Sequence, residues 1–236
     1  MISTNISLVW DGEDRAAPQL SDELTMIKNA ILKASQKNRS IIRLHYQNET
    51  EENYDGLVVH MSSKVVVLAT VDNFEFNGYN ILTRERIKGY RNSKYERCST
   101  QILSHNKQLP KMRPPNWVVS IQGIGSAIRE IKRHGIWPAI ETIYNSESAF
   151  YIGPITSISQ ESFKLYCYDA AGKWEKEYEF GFDEVIRLEW ASKYCKHFNK
   201  YMKAAHNRVA GGFSPPAPTT PSMRVRTGRF TKATEP

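Results

Sequence analysis

Apolar positions along this chain follow two alternating periods. Leu24, Ile27, Ile31 and Ala34 share one helical face behind an N-cap at Ser21-Asp22, so the spacing predicts a helix over 21–37. The period then drops to two: Ile42, Leu44 and Tyr46 alternate with polar neighbours, and 54–60, 64–72, 75–83 and 85–91 read as further strands separated by short polar turns. After a stretch without periodicity, Ile124, Ile128 and Ile131 mark a second helix, with Ser126 at its start and Gly135 at its end. Strands are expected near 139–146, 149–158, 162–169, 173–181 and 184–190. A last helical stripe, Tyr194, Phe198, Tyr201, Met202 and Ala205, predicts a helix over 192–207 that packs on the strands before it.

The two series follow the same pattern, offset by about 98 positions. Tyr54-Asp55-Gly56-Leu57-Val58, Ile87 and Ser93-Lys94-Tyr95 recur as Tyr151-Ile152-Gly153-Pro154-Ile155, Ile186 and Ser192-Lys193-Tyr194. The expected organisation is a lead-in over 1–20, a first domain over 21–103, a linker over 104–118 containing Pro110, Pro114 and Pro115, and a second domain with its C-terminal helix over 119–207. Residues 208–236, rich in Pro, Thr and Arg, cannot bury enough apolar surface to offset ordering entropy and are expected to be disordered. The fold class is mainly β of the α+β type: two tandem small barrels, each a helix followed by five strands.

Gly56 and Gly153 hold the same place in the second strand of each series, where glycine lets a long strand bend sharply enough for a small sheet to curl. One helix, then five short strands with this glycine in the second, resembles the Sm-like fold, a small β-barrel of the SH3-like kind, over roughly residues 20–205. The resemblance implies assembly by pairing of edge strands and, in many members, binding of single-stranded RNA through an Asp/Asn loop and an Arg-Gly turn. This chain departs from that signature. Met61 and Val65 stand where the family has Asp and Asn, Glu85 follows Arg84 where it has Gly, and the second copy offers Phe182 and Asp183 without an arginine.

Charge narrows the choice of partner. The net +7 is uneven: Lys203, Arg208, Arg224, Arg226, Arg229 and Lys232 against Glu235 leave +5 in residues 203–236 and +2 in the remainder. Two basic patches are candidates for nucleic-acid binding. One is the edge Arg84, Arg86, Lys88 and Arg91, with Tyr79 or Tyr90 as a stacking platform; the other is Arg224, Arg226 and Arg229 in the tail. The same cations also suit an edge strand guarded against unwanted pairing.

Mean hydropathy is −0.52 and no apolar run approaches the length of a membrane span, so no membrane partner is expected. Three cysteines, at 98, 167 and 195, give no even framework and fit a reducing cytoplasm, and Cys98 and Cys167 read as small buried hydrophobes. Cys195 and His197 point apart on a helix, no zinc spacing occurs, and no nucleophile or phosphate-loop motif is present. The reading is therefore a non-enzymatic binding or adaptor protein without cofactor or metal. Its partner is a protein or single-stranded RNA, with self-association through strand edges as a further expectation. The alternative is a single-stranded RNA-binding regulator using the Arg84 to Arg91 edge and the basic tail.

Overall fold

The computed structural model describes residues 29–47, 52–144 and 147–209, and the chain is mainly β with helices packed on antiparallel sheets. Helix α1 covers 29–38, and the part of the expected helix before it lies outside the described residues. Strands β1 (Ile42–Tyr46), β2 (Glu52–Met61), β3 (Val65–Asp72), β4 (Glu75–Thr83) and β5 (Ile87–Arg91) follow. β5 starts later than the pattern predicted because Arg84–Arg86 form a 3-10 turn.

Next comes a helix that periodicity did not predict, α2 (Lys94–His105). The stretch expected as a linker is packed chain: 3-10 turns Leu109–Met112 and Asn116–Ser120 bury Met112 and Val118 completely. Helix α3 (Ile124–Arg133) buries Ile124, Ile128 and Ile131 as its spacing requires. Its N-cap is Gly123, and the Ser126 hydroxyl accepts from the Gly123 amide, so Ser126 caps from inside the first turn.

The second half contains β6 (Ala139–Tyr144), β7 (Glu147–Ile152), β8 (Ile155–Ile158), β9 (Ser162–Tyr168), β10 (Trp174–Gly181), β11 (Val185–Trp190) and α4 (Lys193–Val209). The strand expected over 149–158 is thus two strands, interrupted at Gly153-Pro154, where proline lacks an amide donor for the ladder.

Sheet order repeats between the halves. The eight-stranded sheet runs β5-β1-β2-β3-β4-β11-β6-β7 and the three-stranded one β10-β9-β8. Counting β7 and β8 as one broken strand, each half has its fifth strand beside its first, followed by the second, third and fourth. The halves are joined where β4 pairs antiparallel with β11, Tyr79 opposite Trp190 and Asn80 opposite Glu189. The larger core draws on both halves, with Val67, Ile81 and Leu57 from one and Ile140, Phe163 and Leu188 from the other.

The two glycines serve close approach. A Cβ on Gly56 would lie 2.4 Å from the Ala69 carbonyl oxygen, and one on Gly153 would lie 2.1 Å from that of Tyr166, so each lets the third strand of its half press against the second. Helix α4 packs on the second half through Cys195, Phe198 and Met202, while Asn199 donates to the Trp137 carbonyl at 2.8 Å. The expected stripe is therefore rotated: Tyr194 and Tyr201 stay exposed. Cys98 also departs from expectation, since α2 presents it to solvent.

Candidate binding surfaces

Residues expected to form one basic edge are drawn into separate structural tasks by the turn between β4 and β5, and only β5 stands at the end of the sheet. The Arg84 guanidinium donates to the Ser62 carbonyl at 2.9 Å and to the Asn29 side chain on α1, tying helix to sheet. Arg86 is half-buried and donates to the Gln47 carbonyl at 3.3 Å, and its buried Nε has no partner among the described residues. Arg91 makes two bonds to one carboxylate oxygen of Glu96, at 2.9 and 2.8 Å. Tyr79 is buried, stacked on Trp190 at 4.9 Å between centroids, and its hydroxyl donates to the Arg113 carbonyl at 2.6 Å. Burial pushes that phenol up to about 12, and neither ring face is left for a base. Lys88 is exposed and Tyr90 half-buried, so these two keep surface at the edge. Arg224, Arg226 and Arg229 lie outside the described residues.

Where the halves meet, alternation along β4 and β11 sends Tyr79, Ile81, Leu188 and Trp190 into the larger core and turns Asn80, Arg187 and Glu189 to the opposite face. A cleft of about 260 Å³ opens there. Its floor is Asn80, Arg187 and Glu189, and its walls come from β2 at Asn53 to Asp55, from the end of β3 at Thr70 to Asp72, and from Asn77.

Arg187 organises the buried side of this face. It donates to Glu141 at 2.7 Å and Glu189 at 3.2 Å, and its guanidinium lies 5.4 Å from the Tyr54 ring centroid and 5.8 Å from that of Phe150. Burial alone disfavours its charge, but the surrounding groups, Glu141 and Glu189 among them, more than reverse that, so it stays a cation. Tyr54 donates to Glu52, and burial above all raises its phenol far above the ordinary value. Next to Tyr54 on β2, Asp55 accepts both of its bonds from Arg43, each 2.6 Å. This polar cluster escaped sequence reading because its members come from β1, β2, β4, β6 and β11. The local signal available was a charged residue at every second position of β11, Arg187 and Glu189, in a chain segment otherwise reading as core.

Two of the three thiols, Cys167 and Cys195, are buried. Burial raises Cys167 to about 12 and Cys195 to about 11, so both are protonated at neutral pH. Among the described residues no group of three or more His, Cys, Asp or Glu is placed to hold a metal ion, and no helix is long and apolar enough to cross a membrane. Compared with known proteins, the chain matches no family model, no curated protein and no solved structure.

Proposed function

We propose that this chain is a non-enzymatic binding or adaptor protein, two fused Sm-like barrels that engage macromolecular partners, a second copy of the chain among them, through strand edges. The observation that carries the reading is the joint between the halves. There the fourth strand of one half, β4, pairs with the fifth strand of the other, β11. The remaining fifth and fourth strands, β5 and β10, stand at ends of their sheets among the described residues. An end strand presents backbone donors and acceptors that another strand can satisfy, and a fifth-to-fourth pairing between copies would be heterologous, repeating the internal joint. Charge favours the match. Arg86 and Lys88 border β5, while Glu175, Glu177 and Glu179 alternate along exposed positions of β10 with Lys176 between them. A cytoplasmic setting accords with three free thiols.

The alternative, a single-stranded RNA-binding regulator, rests on Lys88 and Tyr90 standing on an end strand and on the tail arginines. Fluorescence anisotropy of a labelled single-stranded RNA against nuclease-treated protein separates the two. The adaptor reading predicts no saturable binding at physiological salt. Tight binding whose affinity falls steeply with salt and drops on Lys88→Ala would replace it with the RNA reading.

A further inference from the structure

The cleft at the joint has a chemistry of its own, and it is not that of a nucleotide site. Three carboxylates line it, Asp55, Asp72 and Glu189, against one guanidinium, Arg187. A phosphate entering would meet that excess of negative charge. The aromatic face that could stack a base, Tyr54, is covered by Arg187. At about 260 Å³ the space is smaller than the roughly 300–1,000 Å³ of drug-sized sites and suits a single side chain.

An independent observation shows what the cleft lacks. Asn80, 4% exposed, forms part of its floor, and its Oδ1 has no hydrogen-bond partner among the described residues. Leaving a buried acceptor unsatisfied is costly, and an incoming donor relieves that cost. Asn80 stands directly opposite Glu189 across the joint, so the missing donor would sit beside a carboxylate. Asp72, exposed at the end of β3, accepts from the neighbouring Asn73 amide at 3.0 Å and keeps its remaining acceptor capacity. The geometry points to a cationic donor: the cleft is a docking site for one arginine side chain of a basic peptide segment on a partner. Arginine is favoured over lysine because its planar fork of donors can serve the Asn80 oxygen and the Glu189 carboxylate opposite it at once, with Asp72 adding negative charge farther along the cleft, whereas an ammonium is a point charge. This assignment rests on the binding-protein reading and names the chemistry of a partner segment.

The test is an amide NMR titration of the full chain with N-acetyl-arginine amide at millimolar concentration. N-acetyl-citrulline amide serves as the neutral isostere and adenosine monophosphate as the anionic competitor. The expected result is shifts centred on Thr70, Asn77, Asn80 and Glu189 with the arginine probe, and binding about fivefold weaker or worse with citrulline. A similar loss is expected in Asp72→Asn, which changes an exposed side chain without touching the core, and in Asn80→Leu. No response at these amides, an equal response to citrulline, indifference to both substitutions, or preferential binding of the nucleotide would each overturn it. Self-association is read separately as mass, so a chain that stays monomeric and still shows these shifts retires the edge reading and keeps the cleft.

Discussion

Arg187 sits at the point where the consequences of a single side chain are largest. Its side chain is 15% exposed, and its partner Glu141 is 7% exposed on β6 while Glu189 is on its own strand. Removing the cation takes the 2.7 Å ion-pair contact from a buried carboxylate, which costs about 3–5 kcal/mol, far more than an exposed ion pair contributes. Arg187→Met is therefore expected to lower the unfolding free energy by that amount, seen as a lower urea midpoint at unchanged slope, and Arg187→Lys by less, since an ammonium keeps the charge but loses the fork. A loss of unfolding free energy below about 1 kcal/mol in Arg187→Met would show that the cluster is solvated rather than buried. None of this could be read along the chain, because Glu141 and Arg187 are 46 positions apart and meet only through β6–β11 pairing. The repeat singled out Gly56 and Gly153 as bends, and what the structure shows at both is close approach to the carbonyl of the next strand.

Among the elements, α2 and α4 are counterparts, each following the last strand of its half behind Ser93 or Ser192. Periodicity revealed one and not the other. α4 buries Cys195 and Met202 and packs Phe198, whereas the residues that α2 buries are Glu96 and Leu103, so it has no apolar stripe to announce it. Its signal was the cap: Ser93 and Glu96 form a capping box in which the Glu96 carboxylate accepts from the Ser93 amide at 2.7 Å and hydroxyl at 2.8 Å. Burial pushes the Glu96 carboxyl up, but bonds from Arg91 and Ser93 outweigh it and hold the group at about 2, below its ordinary 4.5. A depressed carboxylate stabilises the fold above its unfolded value and loses that contribution as pH falls toward the folded one. Stability is thus expected to decline by about 2–3 kcal/mol between pH 4.5 and 2 through this group. Glu96→Gln should flatten that part of the urea-midpoint profile; an unchanged profile would remove Glu96 from the account. Most strands were legible, from alternation in β1 and β9 and from an unbroken apolar, largely β-branched run in β3 that is buried on both faces. The broken strand at Gly153-Pro154 was not, because proline's missing donor is felt only through the partner strand.

At the scale of the whole molecule, the strand order recurs along the chain, and a shared core and a continuous sheet, neither visible in the repeat, join the two series. Met112 and Val118 from the connecting stretch are fully buried in the larger core, and three prolines had made that stretch look like a linker. The β4–β11 joint was likewise invisible, because strand pairing between distant segments leaves no local periodicity. It is also what gives the molecule unlike ends, β5 on one and β10 on the other. The most direct test of the central claim is the light-scattering mass of the full chain across concentration, beside Lys88→Asp, which sets a carboxylate on β5 against Glu175, Glu177 and Glu179 of β10. The account predicts multiples of 27.1 kDa that fall toward the single-chain mass in the variant. A mass of 27.1 kDa for both proteins at every concentration would contradict it.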